Sequence, residues 1–249
     1  GTIPHSKTVT YALSVLPMFI LIGFLAFHAG ITKALFEASK RWLGRLPGGL
    51  AVATVFATAG FAAVSGASTA TAAVFSRIAI PEMLSEGYNK RLAAGVVAAG
   101  GTLATLIPPS AILVIYAIIV EESVGQLLLA GFLPGIVSAL IYAAIIVISV
   151  SLKPKSGPKT RVFSLEEKVR SLPGTFPIFA VVFIIFGSMY FGWATPTEAG
   201  ALGAFVVFAL AMIRRMPVSA LKEALLETAK LTAMIFTMIW GVLIYVRFL

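Results

Sequence analysis

Residues 47–81 read PGGLAVATVFATAGFAAVSGASTATAAVFSRIAIP, and their reading decides the fold. The run over 47–76 is apolar but of an awkward length. One upright helix over it would be ~45 Å long against a hydrocarbon core of ~30 Å, and two full spans with a loop need more chain. Ala, Val and Phe fill the run from Pro47-Gly48-Gly49 to Val64; Ser65-Gly66-Ala67-Ser68 interrupts it, and Thr69 to Ile80 resume it before Pro81. This predicts a hairpin that enters a membrane, turns inside it and leaves by the side it entered. Bare backbone is not tolerated against lipid, so the tip must line a cavity or pack on protein. The same small residues also suit a tight turn between two short spans, or close packing of helices.

The surrounding chain is that of an all-α integral membrane protein. Of 249 residues, 59% are hydrophobic and 12% charged, and the mean hydropathy is +1.00; a soluble domain is nearer half apolar and a quarter charged. At ~20 residues per span the length allows about six to eight passes. With no cysteine, disulfides, thiolate nucleophiles and Cys-ligated metals are excluded. All ten acids are Glu and the only histidines are His5 and His28, so metal centres and proton relays have little to work with.

A net charge of +9 raises the question of nucleic acid, and the placement of the charges answers it. All but Lys7 and Arg247 fall in four patches: Lys33 to Arg45, Arg77 to Arg91, Lys153 to Arg170 and Arg214 to Lys230. Short basic loops stay on the cytoplasmic side, where anionic headgroups and water neutralise them, so the expected partner is a lipid bilayer and no nucleic acid. Parity then sends residues 11–32 inward and 231–249 outward. It makes 92–152 and 171–213 pairs of passes, turning at Glu121-Glu122 and between Trp193 and Glu198. The hairpin keeps Arg77, Lys90 and Arg91 on the side of Lys40.

A second interruption follows the hairpin. Gly100-Gly101-Thr102 loosens a helix and Ile107-Pro108-Pro109-Ser110 breaks it, since two prolines remove two donors and push the preceding residue out of the helical region. A simple kink is the plainer alternative. Each break leaves unsatisfied carbonyls at a helix C-terminus and free N–H groups at an N-terminus. Carbonyls with Ser and Thr hydroxyls suit a hard cation such as Na⁺; N–H groups suit an anion. Neither break holds a Lys or Arg, so an anionic substrate would depend on dipoles, hydroxyls and bound cations.

The chain divides into a first transmembrane helix and cytoplasmic arm (1–46), the hairpin (47–81), and a broken helix with the following span of a first repeat (92–152). A cytoplasmic connector (153–172) leads to the start of a second repeat, with an arm over 214–230 (173–249). Segments 11–32 and 231–249 run in opposite directions, as inverted repeats would. The chain begins at Gly1 and ends inside an apolar run, which points to a fragment.

Several stretches resemble the large membrane subunit, of DctM type, of tripartite ATP-independent periplasmic (TRAP) transporters. They are Pro47 to Leu50, Ser65 to Ser68, Ile80-Pro81-Glu82-Met83, Gly87-Tyr88, Ala98 to Leu103, Ile107 to Ser110, Ala130-Gly131 with Pro134-Gly135, and Ala194 to Ala199. The resemblance implies an elevator-type secondary transporter fold of the ion transporter superfamily, with a re-entrant hairpin, a discontinuous helix and inverted repeats, in the bacterial inner membrane. It implies Na⁺-coupled import of an organic acid, such as a C4-dicarboxylate or sialic acid. The implied partners are a periplasmic substrate-binding protein and a small four-helix membrane subunit. By analogy Ser65, Gly66, Ser68, Gly101, Thr102, Ile107 and Pro108 bind sodium, while Ala67, Thr69, Pro109 and Ser110 contact substrate. Members of the family usually carry Ser where Ala67 stands, so backbone carbonyls would replace that hydroxyl. The family's second hairpin is expected beyond Leu249, which leaves this chain with part of a transport site.

Three rivals remain. A carboxylate symporter of the same superfamily without a binding protein would share the two breaks. An intramembrane serine protease could use Ser68 in Gly66-Ala67-Ser68 with His28 as base, although Thr69 stands where a glycine is expected. A passive channel would need polar rings along a pore rather than clusters at breaks. Thr195, Thr197 and Glu198 read either as a helix cap begun by Thr195 or as groups shaping a site or docking a partner.

Overall fold

The computed structural model describes residues 14–154, 157–158 and 163–248. His5, Lys7, Lys155, Lys159 and Arg161 lie outside them. Among the described residues there are ten α-helices and no strand. α1 (Val15–His28) turns through 69° at Ala29-Gly30 into the amphipathic α2 (Ile31–Leu43). α3 (Gly49–Ser65) and α4 (Ser68–Ser85) form a helical hairpin. α5 (Lys90–Thr102), a 3-10 turn over Leu103–Thr105 and α6 (Ala111–Ile119) follow. α7 (Val124–Leu152), α8 (Leu165–Tyr190), α9 (Pro196–Ile213) and α10 (Val218–Phe248) complete the order.

Among the described residues four helices, α7 to α10, are long and apolar enough to cross a membrane, or five spans if the bent α1–α2 pair counts as one. The chain is an all-α membrane protein. The number is below the six to eight that length allows because α3, α5 and α6 are too short to qualify by themselves and α4, with 18 residues, is too polar. α7 and α8 turn ladders of large apolar side chains outward, including Leu133, Leu140 and Ile148, then Phe176, Phe179 and Phe183.

α3 is the centre. Nearly all of its residues are buried, and it packs on α1, α2, α4, α5, α7 and α8. Its composition makes this feasible: lipid is as apolar as Leu, so helices in a bilayer associate through close packing, which small side chains permit. Gly100 of α5 lies so close to Thr58 that a Cβ would overlap its side chain, and Gly23 of α1 sits as tightly on Ser65.

The hairpin closes on itself at its base. The Leu50 N–H, a free donor in the first turn of α3, donates to the buried Tyr88 hydroxyl beyond the end of α4 at 3.2 Å. Lys40 of α2 meets Glu82 at 2.5 Å and Glu86 at 2.7 Å. Burial opposes the charge on Lys40, but its hydrogen bonds to the two carboxylates outweigh it and hold the ammonium above its ordinary pKa. Next to it, Arg41 and Trp42 donate to the carbonyls of Glu167 and Lys168 at 3.3 and 3.2 Å. His28 bonds Glu227 of α10 at 3.0 Å. Segments that carry all four basic patches are thereby linked through the ends of α1 and α2.

Several helix limits differ from the sequence reading. α4 continues through Pro81 to Ser85, where the lost backbone bond falls at an exposed position near the helix end. α8 starts at Leu165, inside the supposed connector, because Ser164 and Glu167 form a capping box: Ser164 Oγ accepts from the Glu167 N–H and Glu167 accepts from the Ser164 N–H. α10 starts at Val218 rather than 214, after Arg215 takes a left-handed conformation, and it runs unbroken past 230.

Candidate functional site

The turn between α3 and α4 is two residues long. Gly66 adopts φ 62°, ψ 2°, and its N–H donates to the Ala62 carbonyl at 3.1 Å. A Cβ at this left-handed position would also land on the Pro109 carbonyl, so conformation and contact both require glycine. Ala67 is extended, with φ −122° and ψ 116°, and N-caps α4. Its carbonyl accepts the Thr71 N–H and the Thr71 hydroxyl, each at 2.9 Å. Thr71 thereby commits its only proton, so in the 3.0 Å pair with Ser65 the Ser65 hydroxyl donates.

The break after α5 faces this tip. Hydroxyls cap the carbonyls that the break strips of partners: Thr102 Oγ1 donates to Ala99, Thr105 Oγ1 to Thr102, and Ser110 Oγ to Thr105, at 2.7, 2.7 and 2.9 Å. Ser110 also N-caps α6, accepting the Leu113 N–H at 3.3 Å, so one buried side chain joins both halves of the broken helix. Pro108 and Pro109 are joined by a cis peptide. The tip and the break are directly bonded, with the Ala111 N–H donating to the Gly66 carbonyl at 2.9 Å.

Ser65, Gly66, Ala67, Pro109 and Ser110 thus meet at one buried junction. Gly101 packs on α4 beside Ala72 and the Ser68 carbonyl, and Ile107 lies along α7 against Gly135. Ser68 is half-buried and Thr69 exposed, both in the first turn of α4. The Thr102 hydroxyl points elsewhere, toward Ala99 and the Tyr142 hydroxyl. Thr195 and Glu198 form a capping box at the start of α9. The Glu198 carboxylate accepts the Thr195 N–H and hydroxyl, each at 2.7 Å, and lines a shallow groove with Trp193, Leu202 and Phe205. Thr197 follows in the same first turn. Phe19 of α1, which lies between Gly66 and Gly200, links this cap to the junction.

Two polar groups escaped sequence reasoning. Thr71 carries a faint signal, a hydroxyl four residues after the turn in a run of alanines. Tyr142 carries none, since nothing in an apolar span announces its partner.

Among the described residues, no hydrogen bond reaches the carbonyls of Ser65, Ile107, Pro108 or Pro109. The N–H groups of Ser68, Thr69 and Ala70 at the start of α4 are likewise unbonded, whereas α6 commits its Ala111 and Leu113 donors to Gly66 and Ser110. Among the described residues, unbonded neutral oxygens therefore lie at the end of α3 and along the break, and unbonded donors at the start of α4. Among the described residues there is also no group of three His or acidic side chains placed to hold a metal ion. His28, the base a serine protease would need, bonds Glu227 instead of a serine.

Residues 6–249 match the family described as tripartite ATP-independent periplasmic transporter, DctM component. The chain belongs to the DctM family. It is 37% identical over 241 residues to the C4-dicarboxylate TRAP transporter large permease protein DctM of Pseudomonas aeruginosa, covering 96% of this chain and 56% of that one. It is 32% identical over 241 residues to the sialic acid TRAP transporter large permease protein SiaM of Vibrio cholerae, covering 94% and 55%. To the isethionate TRAP transporter permease protein DctMQ of Oleidesulfovibrio alaskensis it is 31% identical over 233 residues, covering 92% and 36%. The chain spans about half the length of the first two relatives and less of the third. All three are named as transporter permeases rather than enzymes. Family and spans together make this DctM member a multi-pass protein of the bacterial inner membrane.

Proposed function

We propose that this chain is part of the permease subunit of a Na⁺-coupled importer of organic acids, fed by a periplasmic binding protein and completed by a small four-helix membrane subunit. The observation that carries the reading is the bonded junction of hairpin tip and broken helix, where buried carbonyls and free N–H groups lie side by side. A hard monovalent cation fits such a donor set: neutral oxygens from Ser65 and from Ile107 to Pro109 can replace part of its hydration shell. The ion would in turn screen a substrate carboxylate received by the N–H groups of Ser68 and Thr69 at the positive end of α4. The hydroxyls of Thr69 and Ser110 flank that position in sequence.

The hairpin is read as re-entrant. α3 has 17 residues, ~25 Å, which stops short of crossing a ~30 Å core. The bonds from Lys40 to Glu82 and Glu86 support placing both of its ends on the cytoplasmic side. Transport then follows from rigid movement of a unit that contains the hairpin and the broken helix, an elevator mechanism. The substrate class rests on the acids that the relatives' names specify, and selection among them falls to the binding protein.

The test is uptake by the full-length protein with its partners in liposomes. An inward Na⁺ gradient should drive accumulation of the acid that co-purifies with the cognate binding protein. Uptake that survives collapse of that gradient would rule out the coupling.

A further inference from the structure

We infer that Tyr142 is a positioning residue for the transport site, holding the broken helix in the shape that presents its carbonyls. The inference rests on the Na⁺-coupled reading above. Tyr142 belongs to α7, on the same helical stripe as Gly131, Gly135 and Ala139. That stripe runs along the whole break. Gly131 abuts the Leu106 carbonyl and Gly135 the Ile107 side chain, each so closely that a Cβ would overlap its neighbour. At the other end of the stripe, Tyr142 Oη lies 3.1 Å from Thr102 Oγ1.

The direction of that bond follows from its neighbours. Thr102 Oγ1 gives its one proton to the Ala99 carbonyl at 2.7 Å, so the tyrosine O–H donates. Thr105 and Ser110 continue the series onto the Thr102 and Thr105 carbonyls. Among the described residues, every other hydroxyl in this series bonds within residues 99–113; only Tyr142 reaches in from another helix. It fixes the upstream end of a segment whose downstream end is pressed against the two α7 glycines. Without the phenol O–H, packing of Gly100 and Gly101 on the hairpin still holds the last turn of α5, but among the described residues no side-chain hydrogen bond from another helix fixes it. The unwound stretch must then be ordered by the ion at the moment of binding, and affinity falls by the cost of that ordering.

The test is a Na⁺ titration of uptake by the full-length transporter with its partners in liposomes. Tyr142→Phe should raise the half-saturating Na⁺ concentration about fivefold, the equivalent of one ordinary hydrogen bond. The substrate KM at saturating Na⁺ should stay unchanged. Thr102→Val should produce the same rise, the double variant should add nothing to it, and Thr102→Ser, which keeps the hydroxyl, should restore the wild-type value. A Tyr142→Phe protein with wild-type Na⁺ dependence, or additive effects in the double variant, overturns the inference while leaving the coupling reading intact. A wild-type protein indifferent to Na⁺ overturns both. Should Tyr142→Phe fail to fold, the Thr102→Val and Thr102→Ser pair decides the matter on the other partner of the same bond.

Discussion

Replacing Gly66 by Ala should damage the site far more than the fold, and the size of the effect can be worked from the geometry. The backbone sits at φ 62°, where an L-residue costs roughly 1–2 kcal/mol. The new methyl would also strike the Pro109 carbonyl, so the tip must back away from the break. That withdrawal stretches the 2.9 Å bond from the Ala111 N–H to the Gly66 carbonyl, worth about 0.5–1.5 kcal/mol. Together these reach about 2–3 kcal/mol, and the second part falls on the junction itself. Gly30 supplies the control, because it has φ 73° but open space within 4 Å of where a Cβ would stand. Gly30→Ala should incur the conformational strain alone. Thermal unfolding of the two full-length variants in detergent measures the shared cost, and Na⁺-dependent uptake measures the site. We expect both to lower the Tm, and only Gly66→Ala to raise the half-saturating Na⁺ concentration, by about two- to tenfold. Identical behaviour of the two variants would refute the idea that contact of tip and break builds the site.

Two further perturbations probe the base and the tip of the hairpin. Lys40→Met strands Glu82 and Glu86 beside each other, and should cost about 2 kcal/mol in denaturant titration of the full-length protein. This is less than for a fully buried charge because both carboxylates keep some solvent; adding Glu82→Gln and Glu86→Gln should recover most of the loss. Thr71→Val should destabilise more than Ser65→Ala: it leaves the buried Ser65 hydroxyl without its acceptor, a penalty of about 1–3 kcal/mol, whereas removing Ser65 leaves Thr71 still bonded to Ala67. Equal Tm shifts for the two would contradict the donor assignment.

How much of this was legible depends on whether the signal was local. The turn at Gly66-Ala67 and the restart of the helix at Ser110 are written in neighbouring residues, since small polar residues in an apolar run and a double proline have few structural uses. The Thr195–Glu198 cap is equally local, as is the Ser164–Glu167 cap that the connector reading passed over. Pro81 shows the limit of such signals. Proline removes one donor wherever it occurs, but whether a helix ends there depends on what else holds the chain, and here the turn that follows is held by the bonds of Lys40 to Glu82 and Glu86. The Tyr142–Thr102 pair lies 40 residues apart and the Lys40–Glu82 pair 42, so neither could be read before the helices were placed. The central position of α3 was hidden for another reason. A helix surrounded by protein inside a membrane needs no apolar stripe, so hydropathy cannot distinguish it from one facing lipid.

That enclosure bears on how the site could move. Polar bonds tie α2 to α4, the base of α3 to Tyr88, the hairpin tip to α6, and α5 to α7. Among the described residues, no side-chain hydrogen bond or ion pair joins α1 to any of α3 to α7; its one such tie, from His28, leads to α10. The contact of α1 with the hairpin consists of small groups, with Gly23 against Ser65 and Phe19 beside Gly66. A surface of this kind can slide at modest cost, because no buried polar partner is abandoned when the register changes. The α2–α8 contact is different. There Arg41 and Trp42 donate to the carbonyls of Glu167 and Lys168 in the first turn of α8, at a partly exposed contact where water can take over either role. On the proposed elevator mechanism, α2 would travel with the hairpin, held by its half-buried ion pairs, and release α8. The polar bonds thus divide the helices into the two groups that such a movement requires, along a seam that costs little to cross.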